Sequence, residues 1–242
     1  MQSRSFEDIE ELNSMTLQVG LVGTDGSVIA SDRLTTGFET MTDRNCSMTS
    51  KFYQGERFIC CWSGDDVARV AASNVSKLKL DDTGVASVQE AIEHAGRNAW
   101  EQASGQVDGM NRKVIIATLD GDLWLLEFRN AVPMVNQKRD RVVAGDIRNS
   151  AGWFINNYIP VGCAPLQFPV ERLIFPAAHA VVVGARENPS GISGLEVLVI
   201  RRGSAPVFLD RTQEDALKKR SIRLDAVIRK KLFEPFVLTQ HA

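Results

Sequence analysis

A chain of 242 residues, 44% hydrophobic and 24% charged, suits one large globular domain or two small ones, and it is long enough to need neither disulfides nor a structural metal. Its 28 basic and 30 acidic residues leave a net charge of −2, which argues against a general nucleic-acid binder. Apolar runs stay below the roughly 18 residues that span a bilayer, and the acidic opening MQSRSFEDIEELNSM has no apolar core, so no membrane span and no signal peptide are expected and the cytoplasm is the expected location.

The first predicted element is a hairpin. Leu17, Val19 and Leu21 alternate, Gly23-Thr24-Asp25-Gly26 turns, and Ser27-Val28-Ile29-Ala30-Ser31 returns. Residues 51–53 and 57–62 around Gln54-Gly55-Glu56 predict a second hairpin. Its Phe58-Ile59-Cys60-Cys61-Trp62 is continuously apolar, as in a strand covered on both faces. Two helices follow. Val67, Val70, Ala71, Val75 and Leu78 recur at helical spacing in 65–79, and Val88, Ala91, Ile92, Ala95 and Ala99 in 86–103. Asp82 or Thr83 and Ser87 suit N-terminal caps.

Strands then return. Lys113–Leu119 and Asp122–Phe128 enclose Asp120-Gly121, the strongest hairpin signal in the chain. A short strand, Val142–Ala144, ends at Gly145, and helices are predicted at about 147–158 and 169–182, the second carrying His179 as a packed or capping residue. Leu195–Arg201 and Pro206–Leu209 turn at Arg202-Gly203, and a charged helix from about Thr212 to Leu232 closes the chain. Strands grouped apart from paired helices predict an α+β fold rather than a parallel βαβ sheet. Two sheets face to face with a helix layer outside each, a four-layer α-β-β-α sandwich, would bury all these apolar faces. The expected organisation is an N-terminal extension, 1–15, and a single domain, 16–242.

Cys46, Cys60, Cys61 and Cys163 show no CxxC spacing, and the adjacent pair points to opposite faces of a strand. They read as reduced and structural. His94, His179 and His241 are scattered without zinc-ligand spacing, so neither metal nor cofactor is expected.

Four segments together carry a family resemblance. Thr16-Leu17-Gln18-Val19-Gly20-Leu21 and Asp25-Gly26-Ser27-Val28-Ile29-Ala30-Ser31-Asp32-Arg33 resemble the start of a mature proteasome β-type subunit, in which a threonine, a strand, an Asp-Gly turn, a strand and Ala-Ala-Asp-x-Arg follow one another. Lys51 and then Trp62-Ser63-Gly64-Asp65-Asp66 look like the next block, a lysine followed by Ala-Gly-x-x-Asp. Val143-Ala144-Gly145-Asp146 occupies the place of a Gly-Ser-Gly segment, and Ser190-Gly191-Ile192-Ser193-Gly194 resembles a late Asp-x-x-Ser-Gly-Gly block. Over roughly residues 16–210 the chain resembles a proteasome β-type subunit or a bacterial proteasome-like member of the N-terminal nucleophile hydrolase superfamily.

The resemblance implies a threonine-type peptidase. Thr16 would be the nucleophile with its own free α-amine as base, because an unassisted hydroxyl is a weak nucleophile. Lys51 would lower the pKa of that amine and favour the alkoxide, Asp32 would orient Lys51, and the Gly64 N–H would stabilise the oxyanion. Ser193 matches the serine of the late block. Implied partners are copies of the chain in a ring-shaped homo-oligomer, a peptide or unfolded-protein substrate, and an ATP-dependent unfoldase. Taken singly, Thr16 is an ordinary strand threonine, Asp32 ends a strand, Lys51 is solvated and Gly64 opens a helix. Two alternatives use the same fold: a catalytically inactive scaffold or assembly protein, and an amidase acting on small amides.

The pattern departs from the family at three places. Asp146 stands where a serine is expected and Ser190 where an aspartate is, both in the network around the threonine amine. Met15 precedes Thr16 where self-processing subunits carry glycine. Translation from Met15 followed by removal of that methionine would expose Thr16. Residues 5–12 could form a short acidic helix capped by Ser5.

Overall fold

The computed structural model describes residues 16–40, 43–79, 88–103, 112–145, 150–159 and 166–232. The expected extension, the caps at Asp82, Thr83 and Ser87, and Asp146 lie outside them.

Alternating residues in β1 (Leu17–Val22) and β2 (Gly26–Ser31) form the expected first hairpin, with Gln18 opposite Ser31. It is the middle of an antiparallel sheet with β10 (Arg141–Gly145) on one side and β11 (Glu196–Arg201) and β12 (Val207–Phe208) on the other. A second antiparallel sheet runs in sequence order through β5 (Phe52–Gln54), β6 (Phe58–Ser63), β7 (Lys113–Thr118), β8 (Leu123–Arg129) and β9 (Val132–Lys138). β3 (Leu34–Thr40) and β4 (Asp43–Met48) pair as a separate ribbon. Five helices are present among the described residues: α1 (Asp66–Ser76), α2 (Val88–Ala103), α3 (Ser150–Tyr158), α4 (Val170–Glu187) and α5 (Arg211–Leu232). The fold is mixed α+β with antiparallel sheets.

Burial follows from strand alternation. Leu17, Val19, Val28 and Val197 of the first sheet pack against Ile155 of α3 and Leu173, Ala177 and Val181 of α4. On the second sheet, Phe58, Cys60, Val114 and Ile116 pack against Val67 and Ala71 of α1 and Ile92 and Ala99 of α2. The opposite faces meet each other: Ile29, Leu198 and Ile200 pack against Ile59, Cys61, Ile115 and Leu123. Each fully buried aliphatic or aromatic side chain contributes about 1.5–3 kcal/mol. The adjacent cysteines separate as their spacing requires, Cys60 to the helix side and Cys61 to the inter-sheet side, both buried and free.

Three strands had no clear sequence signal. β3 and β4 are rich in threonine and other polar residues. β9 contains Pro133, which removes a ladder donor, yet β9 is an edge strand where that loss is tolerated. It turns back from β8 through Asn130 and Ala131, both at positive φ, without a glycine to mark the turn. α4 continues past the expected residue 182 to Glu187, with Pro176 inside it. His179 is packed within α4, its ring beside Phe154 and Phe175 and its Nδ1 2.8 Å from Ser221 Oγ on α5. Among the described residues no helix is long and apolar enough to cross a membrane.

Candidate active site

The antiparallel pairing of β1 with β2 places the end of one beside the start of the other. Asp32 therefore arrives next to Thr16, and the Asp32 N–H donates to the Leu17 carbonyl at 3.1 Å. Lys51 opens the second hairpin, where its carbonyl accepts from the Trp62 N–H at 3.2 Å. The side chain of Lys51 reaches between the sheets to both. Thr16, Asp32 and Lys51 are only 7%, 0% and 1% exposed.

The Lys51 Nζ donates to Thr16 Oγ1 at 2.8 Å, to Asp32 Oδ1 at 2.9 Å and to Asp32 Oδ2 at 2.8 Å. An ammonium has three protons, and here each has an acceptor. The Asp32 carboxylate also accepts from the Leu17 N–H at 3.0 Å and the Leu34 N–H at 3.1 Å. Loss of hydration pushes the Asp32 carboxyl above its ordinary 3.8 and the Lys51 ammonium below its ordinary 10.5, and the attraction between them offsets each shift only in part. In these buried, poorly screened surroundings the Lys51 ammonium interacts strongly with any negative charge that forms on Thr16 Oγ1.

Gly64 follows β6 at φ +110, a backbone conformation that strongly favours glycine. The next residue, Asp65, caps α1 by accepting from the Val67 N–H at 3.0 Å. The other Asp65 oxygen accepts from Arg112 Nε at 2.6 Å, and the Arg112 guanidinium lies 4.9 Å from the Trp100 ring centroid. The Gly64 turn is thus held from its helix side. From the sheet side, Gln18 Nε2 donates to the Trp62 carbonyl.

Ser193 joins the site through its backbone: its carbonyl accepts from the Arg33 N–H at 2.8 Å and the Leu34 N–H at 3.1 Å, just beyond Asp32. Ser190 is exposed, and its hydroxyl donates to Asn188 Oδ1 at 3.2 Å within its own loop. The structure therefore brings Thr16, Asp32 and Lys51 into direct contact and attaches the Gly64 and Ser193 segments through neighbouring residues. A cavity of about 290 Å³ between β10 and α3, lined by residues including Arg141, Val143 and Ile155, contains none of them.

The sequence reading did not single out the buried polar residues Gln18, Ser31 and Ser63. In LQVGLV the glutamine sits on the alternate face, which an isolated hairpin would turn to water. Only the second sheet buries it.

No protein-family model matches the chain, and no curated protein sequence matches it. Solved structures do. A Gly-1 mutant of Anbu from Hyphomicrobium sp. strain MC1 is similar over 92% of this chain and 100% of that one, with a TM-score of 0.66 at 14% identity. The chain shares the Anbu fold. Anbu (ancestral beta-subunit) from Yersinia bercovieri is similar over 93% and 100% of the two chains, with a TM-score of 0.65 at 16% identity. A helical assembly of the Anbu complex from Pseudomonas aeruginosa gives 94% and 100%, 0.62 and 18%. These neighbours correct the resemblance read from the motifs, which pointed to a proteasome β-type subunit or a bacterial proteasome-like member. Anbu is a proteasome-like but distinct family.

Proposed function

We propose that the chain is a threonine-type N-terminal nucleophile hydrolase that cleaves peptide bonds once Thr16 is the first residue. The observation that carries this reading is the bond from Lys51 Nζ to Thr16 Oγ1, made while Asp32 holds the same ammonium. The geometry also bears on the base. With Asp32 as its counter-ion, Lys51 serves as a charged donor to Thr16 Oγ1 in this reading, and the proton of the Thr16 hydroxyl goes to another group. The α-amine of Thr16 is the group that a free terminus would supply.

In the proposed reaction that amine takes the hydroxyl proton as Oγ1 bonds to the substrate carbonyl carbon. The Lys51 ammonium stabilises the oxygen as it becomes nucleophilic, and the Gly64 N–H stabilises the oxyanion, a contribution of about 10²–10³ in rate for one such donor. The peptide C–N bond breaks as its nitrogen takes the proton from the α-ammonium, leaving an ester on Thr16. A water molecule, deprotonated by the amine, attacks the ester and restores the hydroxyl. The Ser193 segment would help to place the amine.

The proposed frame is one domain from 16 to 242, layered α-β-β-α, and the three apolar clusters support it. Self-association into a compartment that admits unfolded polypeptide is also proposed. Its support is the helical assembly described for the Pseudomonas aeruginosa Anbu complex. A head-to-tail interface closes into a ring or continues as a helix according to the rotation per subunit, so the ring implied by the family resemblance and a helical form are two products of one kind of contact.

The inactive scaffold is kept as a second reading because a serine, Ser190, stands where the resemblance placed an aspartate serving the amine. Hydrolysis of short fluorogenic peptides by protein whose first residue is Thr16 separates the two. Turnover that disappears in Thr16→Ala and Lys51→Met supports the peptidase, and no turnover in correctly assembled protein supports the scaffold.

A further inference from the structure

The space between the two sheets is apolar for most of its depth, with Ile29, Leu198 and Ile200 facing Ile59, Ile115 and Leu123. Beside Thr16 its character changes. Strand pairing sets Ala144, Gln18, Ser31 and Glu196 in one row across β10, β1, β2 and β11, and sets Ser63 beside Lys113 on the facing sheet. Gln18, Ser31 and Ser63 are completely buried.

Most polar atoms here have partners. Ser31 Oγ donates to the Asp32 carbonyl at 2.9 Å, and Lys113 Nζ lies 3.4 Å from Glu127 Oε1. Gln18 Nε2 crosses from β1 to the Trp62 carbonyl on β6. Gln18 Oε1 and Ser63 Oγ have no partner among the described residues, and Glu196 Oε2 farther along the row has none either. The first two belong to residues at the Gln18–Trp62 contact: one to the amide bonded to the Trp62 carbonyl, the other to the next residue along β6. A buried polar atom without a partner costs about 1–3 kcal/mol, and folded proteins keep few of them. A polar site with two or more converging groups is where a buried water is stable.

We infer that Gln18 Oε1 and Ser63 Oγ hold one buried water between the sheets behind Thr16, and that Gln18, through the Trp62 carbonyl, is the positioning residue that ties the Thr16 strand to the Gly64 turn. The second half rests on the proposed function. Packed sheets stand about 10 Å apart, and the glutamine side chain makes the crossing with a donor at its tip. Glutamate would point only acceptors at a carbonyl, and asparagine is one methylene shorter. Thr16 and Gly64 sit on different sheets, so their separation depends on whatever fixes sheet to sheet at that end. Gln18 lies two residues from Thr16 and grips the carbonyl two residues before Gly64.

High-resolution crystal structures of the full chain and of Gln18→Met and Ser63→Ala test this. The expected wild-type density shows a water bonded to both Gln18 Oε1 and Ser63 Oγ. It should vanish in Gln18→Met, where the Gly64 turn also shifts, and weaken in Ser63→Ala, where the turn stays. A direct Gln18–Ser63 bond, another side chain filling the site, or an unmoved turn in Gln18→Met would overturn the inference. If Gln18→Met does not fold, the wild-type and Ser63→Ala structures decide the water and Gln18→Asn decides the turn. In protein beginning at Thr16, Gln18→Met should slow covalent adduct formation with a peptide epoxyketone about tenfold or more, with reversible binding of the same peptide unchanged. An equal loss of binding and rate would mark a merely structural role. Wild-type protein that forms no adduct would defeat the proposed function, and the crystallographic results would still decide this inference.

Discussion

Gly145 packs against the carbonyl oxygen of Thr16 so closely that a Cβ on it would stand 1.8 Å from that oxygen. Gly145 also has φ +92, where a side chain is strained whatever the space. The partner on β1 is Leu17, so the clash falls on the backbone that presents the candidate nucleophile. Gly145→Ala should lower stability by about 2–4 kcal/mol, read from the urea midpoint, and should reduce any Thr16 reactivity in the fraction that stays folded. A midpoint within about 0.5 kcal/mol of wild type would show that β1 and β10 yield there.

The Lys51–Asp32 pair predicts a non-additive cycle. Lys51→Met leaves a buried carboxylate short of donors, and Asp32→Leu leaves a buried ammonium. Each should cost about 3–5 kcal/mol. The double variant buries no charge, so its loss should be well below the sum of the two. Chemical denaturation of the four proteins measures this, and simple additivity would mean that the ions do not depend on each other.

His179 predicts a pH dependence remote from the site. Burial pushes its pKa below the ordinary 6.5, with Asp225 opposing the shift and Arg186 adding to it. The unfolded chain therefore takes up a proton at about 6.5 that the folded chain resists. Stability should be full above that pH and fall as the pH drops from 6.5 toward the lower folded value. Thermal melting of wild type and His179→Phe across this window tests it. Their difference should narrow on acidification, and a constant difference would rule out the linkage.

Much of this was legible in the chain itself. Alternation and Asp-Gly turns gave the hairpins at 17–31 and 113–128, and the helical spacing of Val67, Ala71 and Val75 gave α1. Thr16, Asp32 and Lys51 were singled out only through the family resemblance; the structure adds that antiparallel pairing brings the first two together and that Lys51 reaches both. What stayed hidden depends on contacts between segments distant in sequence. β9 contains a proline that only its edge position tolerates. Gln18 reads as a solvent-facing residue until the second sheet covers it, and Ser190, standing where the motif block has an aspartate, bonds to Asn188 in its own loop.

The central claim is that Lys51 makes Thr16 reactive once its amine is free, and intact-mass spectrometry of protein beginning at Thr16 after treatment with a peptide epoxyketone tests it most directly. The account predicts one adduct per chain, absent in Thr16→Ala and strongly reduced in Lys51→Met. A free Thr16 that stays unmodified in folded, assembled protein, or a Lys51→Met variant labelled as fast as wild type, would contradict it.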